Sequence, residues 1–143
     1  AETQYDALGR EKQKSNPYYT GESPIWSYIF YNSQIEDSLE RPKEVISAFG
    51  EISRFSYSLR SSAVTVTNGS ETIKTEIQSF DPFGRLISKS TNGEVLSYQY
   101  DLSDRLIRIT DPGSGITNIT YDFGGRKTSY SDSNSGTISY TYN

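Results

Sequence analysis

A six-residue pattern, Tyr-Asp-x-x-Gly-Arg, returns along this chain and limits what it can fold into. It is complete at Tyr5, Asp6, Gly9 and Arg10. Close copies stand at Phe80, Asp81, Gly84, Arg85; at Tyr100, Asp101, Asp104, Arg105; and at Tyr121, Asp122, Gly125, Arg126. The leading aromatics lie 20 residues apart from Phe80 to Tyr100 and 21 apart from Tyr100 to Tyr121. A further 21 residues reach Tyr142, where Asn143 stands in place of Asp. A fixed period of this length marks a repeat architecture in which each repeat leans on its neighbours. Between Tyr5 and Phe80 the beat is looser. Tyr31, followed by Asn32 and, after extra residues, by Arg41-Pro42, reads as a degenerate start, as does Tyr57.

Within a repeat the residues after Arg alternate as in a strand, for example Leu106 to Thr110, and a turn signal follows: Asn92-Gly93, Asp111-Pro112-Gly113 with Gly115, and Asn134-Ser135-Gly136. Gly and Asn tolerate positive φ, so each marks a hairpin reversal. The chain returns through a second alternating run: Leu96, Tyr98, Tyr100; Thr117, Ile119, Tyr121; Ile138, Tyr140, Tyr142. Period two places each trio on one face. The next reversal is the motif itself, with Asp accepting turn N–H groups and Gly free to go left-handed. An isolated hairpin of about 20 residues is marginal in water, so the repeats must lie side by side. The expected fold is all-β, one antiparallel sheet of tandem hairpins. Leucine-rich repeats share the period but need L-x-x-L-x-L and a helical return path, which this chain lacks.

Two regions are expected without a true linker between them: an irregular one over residues 1–56 and the regular array over 57–143. The first carries a Pro- and Gly-rich connection from Ser15 to Trp26, ahead of the aromatic strand Tyr28 to Tyr31. Ile35 and Leu39 are four apart and allow a short helical turn over Ser33 to Glu40, although two apolar positions favour a surface loop.

Composition narrows the chemistry. Hydrophobic residues are only 33% of the 143, yet aromatics reach 13%, which argues against disorder. With 23 Ser and 13 Thr, the low hydropathy reflects hydroxyls more than charge. The absence of Cys and His removes disulfides, thiolate metal sites and the commonest general base, so neither a cofactor nor a metal is expected. A net charge of −4 predicts no attraction to phosphate backbones, and nucleic acid is not an expected partner. No apolar run reaches the roughly 18 residues of a membrane span, and Ala1 to Arg10 lacks a signal-like apolar stretch. A chain without Met that stops in mid-pattern at Tyr142 and Asn143 reads as a segment of something larger.

The repeated Y-D-x-x-G-R with intervening D/N-x-G turns resembles the YD repeat of the Rhs family, which includes bacterial Rhs proteins, the cocoon components of Tc toxins and, more distantly, teneurins. The likeness spans residues 1–143, weakest between Tyr31 and Tyr57. The Asn-Pro-Tyr-Tyr insertion and the run from Ser131 to Asn143 favour the bacterial members. The resemblance implies a β-sheet strip of a larger hollow shell, secreted or at the cell surface, that encloses a toxic cargo domain. Its partners would be flanking repeats and that cargo. The family's C-terminal plug and self-cleavage site have no counterpart here.

Each residue also has a plainer use. Motif Asp and Arg at fixed spacing suggest a binding site, but turn capping and sheet register explain them better, since exposed pairs contribute only about 0–1 kcal/mol apiece. Asp104 in place of the motif Gly strains a left-handed position unless its side chain bonds locally. Tyr98, Tyr121 and Tyr140 are candidate glycan-facing residues, which gives the alternative reading: an extracellular carbohydrate-binding or cell-contact module. Its plainer counterpart is a sheet face packed against another layer. Asp132, Asn134 and Gly136 resemble the start of a calcium loop, yet a hairpin turn accounts for them. Glu36, Asp37 and Glu40 would have to face one another across a few ångströms to hydrolyse a glycoside, and a solvated loop explains them better. No enzymatic activity is expected. Strand edges left open at either end would template further strands, and flanking repeats should cover them.

Overall fold

The computed structural model describes residues 1–33 and 37–143, and every regular element among them is a β-strand. The chain forms two compact bodies, residues 1–76 and 77–143. The N-terminal body holds β1 (Thr3–Tyr5), β2 (Glu11–Ser15), β3 (Trp26–Tyr31), β4 (Pro42–Ile46), β5 (Glu51–Tyr57), β6 (Ser61–Asn68) and the start of β7 (Glu71–Phe80). The C-terminal body takes the end of β7, then β8 (Leu86–Thr91), β9 (Glu94–Tyr100), β10 (Leu106–Thr110), β11 (Ile116–Tyr121), β12 (Lys127–Asp132) and β13 (Gly136–Ser139). Within each body strand order is chain order, and each of β1 to β5 and of β8 to β12 pairs antiparallel with the strand that follows it. The all-β antiparallel fold expected from the repeat is the fold observed.

The pairing sorts side chains by face. In the C-terminal body Tyr98 lies opposite Ile109, which lies opposite Thr117, and Ile119 opposite Tyr130, which lies opposite Ile138. The other face carries Gln99, Arg108, Asn118, Ser131 and Thr137 in a row. Among the described residues Ile119 is the only buried apolar side chain, at 7% exposure, and the buried polar ones are Ser15 and Thr117. A single layer has no opposing layer to bury against. Its order comes from cross-strand pairs and from the turns.

Among the described residues four hairpins carry a bulge in the same place. Tyr5 pairs with Glu11 but Gln4 with Gln13; Tyr31 with Pro42 but Phe30 with Glu44; Tyr100 with Leu106 but Gln99 with Arg108; Tyr121 with Lys127 but Thr120 with Ser129. The extra residue is always the second after the motif Arg, and it bends the strand as it leaves the turn.

The sequence signals Asn92-Gly93 and Gly136 form turns with left-handed residues (φ 51°, 91° and 89°). In the N-terminal body residues 16–25 connect β2 to β3, closed by Asn16 N–H donating to the Ile25 carbonyl at 2.9 Å. Of the helical turn considered over Ser33 to Glu40, Ile35 lies outside the described residues. Past it the chain turns tightly, Glu40 N–H donating to the Asp37 carbonyl at 2.8 Å. The run read through Ile138, Tyr140 and Tyr142 leaves regular strand after Ser139.

Candidate functional site

The repeated motif builds the same turn each time. Asp6, Asp81, Asp101 and Asp122 donate their N–H to the carbonyl of Arg10, Arg85, Arg105 and Arg126 at 2.9, 3.0, 2.9 and 2.8 Å. The residue before each Arg (Gly9, Gly84, Asp104, Gly125) donates back to the Asp carbonyl and sits left-handed, at φ 79°, 83°, 65° and 83°. The carboxylate divides its work. Oδ1 accepts the Arg backbone N–H at 2.8 to 3.0 Å. Oδ2 accepts Arg Nε at 2.6 to 2.7 Å.

These bonds favour the charged form. The Arg N–H groups hold Asp6, Asp101 and Asp122 below the ordinary carboxylate value of 3.8. Asp81 is lowered too: partial burial pushes it up, but the Arg85 N–H and guanidinium outweigh that push.

The Arg so fixed reaches into the next repeat. Arg10 lies over the ring of Tyr31 at 4.3 Å, Arg41 over Tyr57 at 4.0 Å, Arg85 over Tyr100 at 4.8 Å, Arg105 over Tyr121 at 4.9 Å and Arg126 over Tyr142 at 4.7 Å. Each hydroxyl then donates to the carbonyl of the residue after that Arg: Glu11, Pro42, Leu86, Leu106 and Lys127, at 2.7 to 3.0 Å. Register explains the acceptor. Pairing with the following strand begins two residues later, at Gln13, Glu44, Ser88, Arg108 and Ser129, so these carbonyls stand just outside the ladder. A buried-edge carbonyl without a partner is costly, and the Tyr supplies one. The same partial burial raises the hydroxyl pKa of Tyr57 and Tyr100.

The left-handed residue adds a second link where it is acidic. Glu40 (φ 48°) accepts Arg10 Nη1 at 2.9 Å, and Asp104 accepts Arg85 Nη1 at 3.2 Å. Asp104 thus bonds to the preceding repeat rather than locally. Arg85 Nη1 also donates to the Asp101 carbonyl at 3.2 Å, and where Gly125 stands Arg105 Nη1 makes the equivalent bond to the Asp122 carbonyl at 3.1 Å without the acid.

Motif spacing alone misses two of these turns. Asp37 with Leu39, Glu40 and Arg41 repeats the turn inside the insertion: Arg41 Nε donates to Asp37 Oδ2 at 2.7 Å, and that guanidinium, ahead of other causes, lowers the Asp37 pKa. The Asp-x-x-acid-Arg spacing shared with Asp101 to Arg105 was the available signal. Asn32, the Asp position read from sequence, donates both its backbone N–H and its side-chain Nδ2 to the Arg41 carbonyl, each at 3.0 Å, and offers no carboxylate to the guanidinium. On the opposite edge Ser47 to Glu51 makes the turn with Ser47 Oγ accepting the N–H of Phe49 and Glu51. Tyr57 opens no motif turn, since Ser58 to Ser61 closes a two-residue reversal.

Asp111 to Gly115 is a further relative. It repeats both backbone bonds, at 2.9 and 3.0 Å, and Asp111 Oδ1 accepts the Gly115 N–H at 2.7 Å, but no Arg follows.

The remaining candidates are engaged locally. Asp132 Oδ2 accepts Thr117 Oγ1 at 2.8 Å while Oδ1 accepts the N–H groups of Asn134 and Ser135, so the residues resembling a calcium loop close the last hairpin. Of the three clustered carboxylates, Asp37 pairs with Arg41, Glu40 with Arg10, and Glu36 lies outside the described residues. Tyr98, Tyr121 and Tyr140 do not share a row. Tyr98 is mid-strand opposite Ile109, Tyr121 ends β11 beneath Arg105, and Tyr140 follows β13. The register, with Thr117 in the Tyr98 row, keeps the first two apart.

Comparison with known proteins places this geometry. Residues 80–116 match the RHS repeat family model. The structure of a Tc holotoxin pore from Photorhabdus luminescens superposes with a TM-score of 0.71 and 17% identity, covering 96% of this chain and 8% of that one. The crystal structure of TcdB2-TccC3-TEV gives 0.60 and 15%, covering 99% of this chain and 10% of that one. These likenesses show a shared fold, and the chain spans a small fraction of either protein. No curated protein matches it in sequence.

Proposed function

We propose that this chain, whose residues 80–116 match the RHS repeat family model, is a non-enzymatic structural strip of the wall of a hollow shell, and that the parent protein uses the shell to enclose a toxic cargo domain. In this reading residues 1–56 and 57–143 are one run of wall without a linker, the first part less regular. Its setting is a secreted or cell-surface protein, its partners flanking repeats and cargo.

The observation that carries the proposal is the Arg and Tyr lock between consecutive repeats. Five such locks engage the motif carboxylate, guanidinium and hydroxyl in holding the sheet together. Each is weak: an exposed cation over a ring contributes about 0.5–1 kcal/mol, and an exposed ion pair about 0–1 kcal/mol. Repetition makes them additive, as a stacked array requires. The same lock weakens the glycan reading, because an Arg covers one ring face of Tyr121.

The test belongs on the parent protein. Electron cryo-microscopy should place residues 1–143 in the wall of a hollow particle, and an added protease should spare the enclosed domain. A solid particle, or a cargo cut as fast as a free domain, would overturn the proposal.

A further inference from the structure

We infer that the motif edge of the C-terminal body is an association surface, and that its partner is the same edge of a second copy of this chain. The tips of the three motif turns there carry Phe83, Leu102 and Phe123, exposed to 84%, 108% and 109%. Turn tips ordinarily take Gly, Asn, Ser or Asp. The opposite edge of the same body follows that habit, with Asn92-Gly93, Pro112-Gly113-Ser114 and Asn134-Ser135. The large side chains are not needed to make the turn, because Asp111 to Gly115 forms the same backbone bonds around Pro and Gly. The N-terminal body repeats the habit at its own motif edge with Leu8, Leu39 and Leu59, all well exposed.

Spacing identifies the partner. A hairpin is two strands wide, so successive tips stand about 10 Å apart. Between Phe83 and Leu102 lies an open recess of ≈ 330 Å³, spacious enough for a Leu or Phe side chain and lined also by Arg85, Asp101 and Asp104. A second copy of this edge, turned by a two-fold axis, offers knobs at the same interval, one of them to this recess, and receives one in its own. Such self-complementarity is what an isologous contact requires. Arg85 and Asp104 already pair within the chain at 3.2 Å, so the rim of the recess presents an ion pair rather than a lone charge to a second copy. Three exposed side chains of this size present roughly 500 Å², a large part of the about 800 Å² per partner of a stable interface. The inference rests on the edge alone and is independent of any enclosed cargo.

Sedimentation velocity of the 143-residue chain across a wide concentration range tests it. The chain should self-associate reversibly. Leu102→Ser with Phe123→Ser should weaken association about tenfold or more while leaving the melting temperature unchanged, since neither tip packs on its own chain. Pro112→Ser on the opposite edge should leave association as it was. A chain that stays monomeric, or an assembly indifferent to the tip substitutions, would overturn the inference. The second outcome would point to pairing through the exposed strand β13.

Discussion

Strand β10 is entered through one turn and left through another, and the two differ by a side chain. Asp101 to Arg105 and Asp111 to Gly115 share the backbone bonds, the capping carboxylate and a left-handed fourth residue (Asp104 and Ser114, both φ 65°). In the first, Asp101 Oδ2 holds the Arg105 guanidinium, which lies on Tyr121 in the next repeat. In the second, the Asp111 carboxylate occupies the place where a fifth side chain would begin, so that a Cβ on Gly115 would collide with it. Asp makes the turn; Arg turns it into a link between repeats. A chain needing only reversals would have no use for Arg and Tyr at that edge.

Acid should test this comparison most severely, because it acts on every linking Asp at once. Asp6, Asp37, Asp81, Asp101 and Asp122 are held below 3.8 in the folded chain. A group whose folded pKa is depressed contributes stability that is full above its unfolded value and lost as pH falls through the folded one. The melting temperature should therefore hold at neutral pH and fall once the pH passes below the ordinary Asp value. Asp101→Asn separates the two roles: its amide oxygen still accepts the turn N–H groups, but its NH₂ opposes Arg105 Nε. That variant should show a shallower acid decline. An unchanged decline would mean the Arg links contribute nothing that titrates.

Next in size is the left-handed residue. Gly125→Val places a β-branched side chain at φ 83° and should cost about 2 kcal/mol, several degrees in melting temperature. Gly124→Ala next to it meets only an ordinary contact, 3.4 Å from Asp122 Oδ1, and should be nearly neutral. Urea titration of the pair checks this; equal midpoints would count against the turn geometry.

Tyr121→Phe keeps the ring under Arg105 and removes only the hydroxyl that donates to the Leu106 carbonyl at 2.9 Å. The expected loss is about 1 kcal/mol, the ordinary net value of one such bond. Tyr98→Phe, outside the lock, serves as the control. A larger loss from the control would show that the hydroxyl lock is not what joins β11 to β10.

Much of this was readable beforehand. Asp followed by a left-handed Gly names a turn wherever it occurs, and alternation between turns names strands, so the Phe80, Tyr100 and Tyr121 repeats were visible. The link was less so. The Tyr hydroxyl bonds to a backbone carbonyl, which any residue can offer, and Glu11, Pro42, Leu86, Leu106 and Lys127 share no side-chain signal. Ser47 hides its turn because one hydroxyl oxygen can cap N–H groups but cannot also hold an Arg. In the insertion the Asp role is divided, Asn32 giving the backbone bond and Asp37 the carboxylate, so no single residue announced it.

The smallest effect should come from the position where two forces oppose each other. Asp104 carries a left-handed backbone that Gly adopts freely, a cost of about 1 kcal/mol to the folded chain. In return its carboxylate takes Arg85 Nη1, an exposed bond of the kind that contributes about 0–1 kcal/mol. Asp104→Gly should thus shift stability by less than about 0.5 kcal/mol, whereas Asp104→Ala keeps the strain, loses the bond and should be worse than either. The converse applies at Gly125, whose missing Cβ points toward Arg105 Nη1 at 4.0 Å. Gly125→Asp should lose far less than Gly125→Val, and the gap should narrow in high salt as the new pair is screened. If Asp and Val prove equally damaging there, the acid at Asp104 and Glu40 is tolerated strain rather than a second link to the preceding Arg.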